Sequence, residues 1–418
     1  MSILIKDVLL RGKNTSVYIE GNRIKSIGDA SEKAEQVIDG KGKAALPGFI
    51  NTHTHSAMTL FRSYADDLPL HVWLEKHIWP REALMTEDDV YWGAKLACLE
   101  MIKSGTTTFN DSYWHLMGTV RAADETGMRA FVGKVFIDLF DRERAEKEKK
   151  ENMALVKKIR GMNNPRITPA LNPHAPYTVS ADSLKWIREY ADKEGLLIHF
   201  HLAETEKENS DFYMKHKMRP VPFLEDLGFL GSNLIAAHGI WFDANDIAIL
   251  ARHKVKVSHN PVSNMKLASG VMPYAEMMDA GINVSLGTDG CASNNGLDMF
   301  ESMKFASLLQ KVHRRDPTVL PAQEALGMAS LNGAKALEIK AGAIEPGFLA
   351  DIILVDRKRP ELTPLNDLSA NLVYSAKGSC VDTVICDGKV IMENRNVKGE
   401  EEILQKAGEV AKDLFART

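Results

Sequence analysis

The 418-residue chain has only four cysteines. They are Cys98, Cys291, Cys380 and Cys386, and no two of them form a Cys-x-x-Cys pair. That scatter argues against a cysteine-based zinc site and suits a reducing cytosol, so a cytoplasmic location is expected. Long apolar runs are also missing. None approaches the roughly 20 residues that a membrane-spanning helix needs, so no membrane partner is expected. The opening Met1–Asp7 has its first charge at Lys6 and no apolar h-region, and it does not read as a signal peptide. Nor is there a basic excess: 52 lysines and arginines stand against 56 acidic residues, a net charge of −4. This argues against nucleic acid as a partner. No solenoid repeat or low-complexity linker is visible.

What is present describes a globular chain. The 44% hydrophobic and 26% charged residues allow a sizeable core. The length accommodates a barrel of roughly 250 residues and a smaller module. Residues 1 to 45 read as short strands around a Gly21-Asn22 turn, a hairpin signal. The same texture returns in Asp351–Val355 and Thr383–Ile391. Neither piece can bury a core alone, which predicts one small β domain assembled from both chain ends.

Between them, apolar strand runs alternate with helical patterns, as in a parallel sheet wrapped by helices. Eight candidate strands can be counted: Ala45–Asn51, Thr106–Asn110, Arg129–Phe136, Arg166–Leu171, Leu196–His201, Leu234–His238, Val255–His259 and Ile282–Leu286. Eight is the (β/α)8 number, and in that fold the carboxyl ends of the strands converge on the active site. Six of the 13 histidines fall at or just past a strand end: His53, His55, His174, His201, His238 and His259. Asn110-Asp111 and Asp289 do the same. The expected class is α/β, a (β/α)8 (TIM) barrel with a small β-sandwich. Residues 1–46 and 346–400 would form the sandwich, 47–345 the barrel, and 401–418 a closing helix. The charge run at 141–160 reads as the solvated face of a helix.

The sharpest local signal is Asn51-Thr52-His53-Thr54-His55. Residues i and i+2 of a strand share a face, so both imidazoles would point to the barrel mouth and could grip one ion. Alone, the pair would read as two polar loop histidines; its company reverses that reading. In His199-Phe200-His201-Leu202-Ala203-Glu204, His201 lies nearer the mouth and is the better ligand, while His199 could be a satisfied core histidine. Glu204 is a candidate proton shuttle or a surface glutamate. His238 is a site residue or a buried, hydrogen-bonded one. Asp289, in Gly287-Thr288-Asp289-Gly290, could be a turn aspartate, or it supplies the carboxylate that a His-rich catalytic zinc site lacks.

Taken together, Pro47–His55, the His-x-x-Glu of 201–204, His238 and Gly287-Thr288-Asp289 resemble the single-metal deaminase branch of the amidohydrolase superfamily. Ile78–Glu82, Asn172–Tyr177 and Ser258–Gly270 look like its 5'-methylthioadenosine/S-adenosylhomocysteine deaminase family, which includes the 5'-deoxyadenosine deaminases. The likeness spans nearly the whole chain. It implies that His53, His55, His201 and Asp289 bind one divalent metal, Zn2+ or else Fe2+. Glu82 would bond the ribose hydroxyls, His174 would contact the nucleoside, and Glu204 would sit at purine N1. His238 would lie beside the attacking hydroxide, with Asp289 taking its proton. The implied reaction is hydrolytic deamination at adenine C6 of 5'-deoxyadenosine, 5'-methylthioadenosine, S-adenosylhomocysteine or adenosine. A homo-oligomer, dimer or tetramer, is implied as well.

One feature departs from the family. Members that favour S-adenosylhomocysteine often carry an arginine on strand three for its carboxylate. Here that strand has Lys134, with Arg142 and Arg144 nearby, and lysine offers no planar fork. This leans the expectation toward a small 5' substituent. The rivals are another hydrolase on this scaffold, such as a guanine or triazine deaminase or chlorohydrolase, and a non-enzymatic scaffold. Two-metal amide hydrolases usually need a lysine on strand four, which Arg166–Leu171 lacks. The Pro-Cys-x-x-Cys of cytidine-type deaminases is absent too.

Overall fold

The computed structural model describes residues 1–28 and 33–417. The amino-terminal strands are β1 (Ser2–Leu10), β2 (Lys13–Glu20), β3 (Arg23–Gly28), β4 (Gln36–Asp39) and β5 (Lys43–Pro47). In β2, Val17 and Ile19 face inward while Glu20 faces out, the period-two alternation of a strand with one buried face. β2 and β3 form the expected hairpin, with Glu20 opposite Arg23. Gly21 (φ +60°) is the first of its two turn residues, where a type II′ turn requires glycine.

The barrel strands follow: β6 (Phe49–Thr54), β7 (Thr106–Tyr113), β8 (Arg129–Phe136), β9 (Ile167–Pro173), β10 (Leu197–Leu202), β11 (Leu234–His238), β12 (Lys256–His259) and β13 (Val284–Leu286). Neighbours pair in parallel and in chain order. The seam between β13 and β6 is closed by Thr288 and Asp289, whose backbone N–H groups donate to His53 O at 3.1 and 2.9 Å. Thr52 Oγ1 reinforces it, bonding Leu286 O at 2.9 Å.

β14 (Ile352–Asp356), β15 (Val381–Cys386) and β16 (Lys389–Met392) then return to the first sheet. β14 pairs antiparallel with β5, Ile353 opposite Leu46, which joins the two chain ends in one eight-stranded sheet. That sheet has its own apolar cluster, including Ile3, Ile5, Val17, Ile19, Ile352 and Leu354. Arg129, at the start of β8, ties barrel to sheet through Asp351 (3.2 Å) and Asp387 (2.8 Å).

The run Ala45–Asn51, expected as one strand, is divided between the two sheets. The break falls at Gly48, whose N–H donates to Asp351 O at 2.9 Å. A Cβ there would lie 2.3 Å from Thr107 Oγ1, so only glycine lets the chain pass so close to β7. The charge run lies on a helix, Arg142–Gly161, that buries only one stripe, including Ala145, Val156 and Ile159. A last helix, Glu400–Ala416, packs on Glu87–Lys103, with Lys103 Nζ 2.6 Å from Glu400. Among the described residues, no helix is long and apolar enough to cross a membrane.

Candidate active site

The carboxyl ends of the barrel strands bring His53, His55, His201, His238 and Asp289 together. The ligand atoms of His53, His55 and Asp289 lie within 4.8 Å of one another, as do those of His53, His201 and His238. Nε2 of His53 and of His55 are 3.3 and 3.4 Å from Asp289 Oδ1, and Nε2 of His201 is 3.3 Å from Nε2 of His55.

The other ring nitrogens decide what these imidazoles can do. Nδ1 of His55 is 2.6 Å from Ser112 O, and Nδ1 of His201 is 2.8 Å from His174 O. A carbonyl only accepts, so each Nδ1 carries the proton and each Nε2 presents a lone pair to the centre. His53 Nδ1 lies 2.7 Å from His199 Nε2. Its own Nε2 is buried with no hydrogen-bond partner among the described residues. A buried, unpaired ring nitrogen aimed at a carboxylate and two further lone pairs is a donor set that fits a cation. The donors, three neutral nitrogens and a carboxylate oxygen, suit a divalent metal of the zinc type.

His238 differs. The amide nitrogens of Asn264 and Asn260 approach its Nδ1 at 2.9 and 3.3 Å. They donate, so Nδ1 accepts and Nε2 holds the proton. That N–H is 3.8 Å from Glu204 Oε2. Although His238 lies within reach of the cluster, it faces the site as a hydrogen-bond donor.

Electrostatics follow burial. Desolvation lowers the His53 and His238 pKa values to about 4, the neutral form that a ligand or a neutral donor needs. Burial, aided by repulsion from Asp289, raises Glu204 to about 8. Asp289 is itself buried, which works against its charge. The neighbouring His53, His55 and His238 outweigh that and hold it well below the usual range. Ser263 Oγ (2.7 Å) and the Gly290 N–H (2.8 Å) also donate to this carboxylate. Two opposed carboxyl groups, one ionised and one protonated near neutrality, form an acid–base pair.

Three residues of this centre, Ala203, His238 and Asp289, have positive φ (+54°, +74° and +65°), at a cost of roughly 1–3 kcal/mol each. Gly287 crosses beside them, and a Cβ there would lie 2.3 Å from Asn260 Oδ1 and 2.7 Å from His53 Cβ.

Glu82 is buried and accepts from Trp114 Nε1 at 3.3 Å. Burial raises its pKa despite opposing bonds from Tyr113 and Trp114. His174 bonds Thr178 Oγ1 at 2.9 Å, its ring 5.0 Å from that of His201. Both line a small cavity of about 80 Å³ against the cluster. Trp79, Glu82, Trp114 and Ile137 also line an adjoining cavity of about 820 Å³. Lys134 lies on its wall with its ammonium engaged by Glu148 and Glu151. The Nε–H of Arg144 donates to Ile137 O at 2.7 Å. Arg142 lies away from both cavities.

His259 is not drawn in: its ring is buried, with neither nitrogen hydrogen-bonded. His199 has a partner in the site, His53. Contributors not singled out from sequence include Ser112, Glu208, Ser263 and Asn264. Ser263 and Asn264 sit in the quoted Ser258–Gly270 stretch. Glu208 is one helical turn past Glu204, and its carboxylate accepts the N–H groups of Ala203 and Glu204, both at 2.8 Å. No local pattern marks Ser112, which contributes only its carbonyl.

A barrel with three imidazoles and a carboxylate converging at its mouth defines an enzyme built around a divalent-metal centre. Residues 44–391 match the amidohydrolase family, and the chain belongs to that family. It is 51% identical to the 5'-deoxyadenosine deaminase of Methanoregula boonei, over 100% of this chain and 96% of that one. It is likewise 51% identical to 5-methylthioadenosine/S-adenosylhomocysteine deaminase 1 of Archaeoglobus fulgidus, over 96% and 95%. A solved adenosine deaminase from Xanthomonas campestris with bound zinc superposes with a TM-score of 0.94 at 32% identity, covering 99% of both chains.

Proposed function

We propose that this protein hydrolyses the 6-amino group of 5'-modified adenosines, giving the inosine analogue and ammonia. The observation that carries the reading is Glu204. It is a buried carboxyl with its pKa raised to about 8, set beside the donor N–H of His238 and across from an ionised Asp289. A ring nitrogen that must be protonated for attack at the neighbouring carbon needs such an acid.

His53, His55, His201 and Asp289 would hold the metal, with zinc the best fit to the donors. Bound there, zinc would bring the pKa of water to about 7 and supply the nucleophile at neutral pH. Glu204 donates its proton to adenine N1, which makes C6 electrophilic. As water oxygen bonds to C6, Asp289 takes the water's proton, and the His238 N–H stabilises the tetrahedral centre. That proton passes to the 6-amino group, the C6–N bond breaks and ammonia leaves. The proton at N1 stays with the product, and the proton left on the C6 hydroxyl returns to Glu204 as the carbonyl forms.

Glu82 is the proposed partner of the ribose hydroxyls, and His174 a further nucleoside contact. The 820 Å³ cavity beyond Glu82 has room for a 5' substituent, which favours a nucleoside over free guanine or a triazine. Because Lys134 is neutralised by Glu148 and Glu151, it offers little to a substrate carboxylate. Arg144 and Lys147 also line that cavity, so the preference for 5'-deoxyadenosine or 5'-methylthioadenosine over S-adenosylhomocysteine rests on Lys134 alone. A cytoplasmic homo-oligomer is the proposed setting.

The test is a steady-state panel of those three nucleosides with adenosine and guanine, following loss of adenine absorbance and release of ammonia. Failure of the zinc-loaded protein to turn over any adenine nucleoside would overturn the reading. A kcat/KM for S-adenosylhomocysteine above that for 5'-deoxyadenosine would overturn the preference.

A further inference from the structure

Glu82 is the last residue of a helical stretch, Leu70–Trp73, Leu74–Ile78 and Trp79–Glu82 in unbroken succession, whose middle part is of π type. A helix end has fewer internal bonds than its middle and opens more readily, so the place of this carboxylate depends on contacts from outside the helix. Trp114 and Tyr113 reach the carboxylate itself. The backbone that carries it is held from the far end of the sequence.

Arg417 follows the last helix and forks onto Asp89, Nη1 to Oδ2 at 2.6 Å and Nη2 to Oδ1 at 2.8 Å. Its Nη1 also donates to Leu84 O at 2.8 Å, and its own carbonyl accepts from Arg81 Nη1 at 2.7 Å. Glu82 lies between those two attachments. Asp89 is fixed in turn, since it and Thr86 form the capping box of helix Glu87–Lys103. Nearby, Phe415 packs on Tyr64 and Phe61, with ring centroids 4.6 and 5.8 Å apart.

We propose that Arg417 is a positioning residue for Glu82, gripping the chain on both sides of it so that its carboxylate meets the ribose hydroxyls. The inference rests on the assignment of Glu82 to the ribose. A bidentate guanidinium–carboxylate pair is directional, which a lysine cannot reproduce.

The test compares wild type, Arg417→Met and Arg417→Lys, all zinc-loaded, on adenosine and 2',3'-dideoxyadenosine. If Arg417 positions Glu82, Arg417→Met raises KM for adenosine on the order of tenfold with kcat within about twofold. KM for the dideoxy analogue stays near wild type, Arg417→Lys recovers only part of the loss, and Glu82→Gln adds little in the Arg417→Met background. Equal KM increases for both nucleosides, or none, would overturn the proposal while leaving deamination intact. Absence of turnover by wild type would instead overturn the functional reading and this inference with it. Should Arg417→Met not fold, Arg81→Met removes the bond to the Arg417 carbonyl and the stacking of Arg81 on Phe415 while keeping the Arg417–Asp89 fork, and the same discrimination between nucleosides is expected, at smaller size.

Discussion

The side-chain amide of Asn264 donates to Nδ1 of His238 across 2.9 Å, and so places the proton of that imidazole on Nε2, facing the site. Replacing Asn264 by leucine weakens the preference for this tautomer, leaving only the longer bond from Asn260 at 3.3 Å. Second-layer partners of this kind are worth about 10–100-fold, and kcat should fall by that much. Zinc content, measured by elemental analysis, should not change. Loss of zinc in parallel would mean that His238 is a ligand rather than a donor.

In the proposed mechanism Glu204 sets the upper pH limit of the reaction. Its ordinary value of 4.5 is raised to about 8, so the acid form needed at N1 prevails up to that pH and is lost above it. A plot of log kcat/KM should therefore be level through neutrality and fall as pH rises past about 8. Glu204→Gln should lower kcat at least about 100-fold while zinc stays bound. A limb that persists in that variant belongs to another group.

Gly287→Ala tests the tightest crossing of the centre. A methyl group cannot be accommodated beside Asn260 and the Cβ of His53, so His53 must shift. Overpacking costs about 1–3 kcal/mol, readable by chemical denaturation. Zinc affinity, titrated against a chelating indicator, should weaken as well. Unchanged affinity would show that the site absorbs the shift without disturbing His53.

The ammonium of Lys134 pairs with Glu148 and Glu151 and so has a structural part in the proposed reading. Lys134→Met leaves the buried Glu148 without its main cation and should destabilise the fold by up to about 3 kcal/mol. Glu148→Gln in the same chain should restore part of that. The ratio of kcat/KM for S-adenosylhomocysteine to that for 5'-deoxyadenosine should not move. A large drop in that ratio would assign the ammonium to the substrate.

Zinc removal by a chelator should abolish turnover, and re-addition should restore it. Metal at a hundred times its Kd should also stabilise the folded state by about 2.7 kcal/mol, seen as a higher Tm. Full activity in the chelated protein would exclude the proposed centre.

The order of eight strands and the two-ended sheet could be read from sequence because each rests on a short-range rule, and such rules also bring the proposed ligands His53, His55, His201 and Asp289 to the barrel mouth. Strand periodicity places His53 and His55 on one face, and a strand end places His201 and Asp289 at the mouth. The same rules mislead at Ala45–Asn51, which is apolar throughout yet serves two sheets. Only the close passage of Gly48 against Thr107 shows where it must break.

Residue spacing alone determined which side chains reach the barrel mouth. Tertiary structure decided what each of them does there. The proton positions on His55, His201 and His238 depend on Ser112, His174 and Asn264, which lie 57, 27 and 26 residues away in the chain. The acidity of Glu204 depends on burial and on Asp289, and the engagement of Lys134 on a helix that follows its strand. Hydrogen-bond direction and desolvation are properties of three-dimensional neighbours, and no local pattern of residues encodes them.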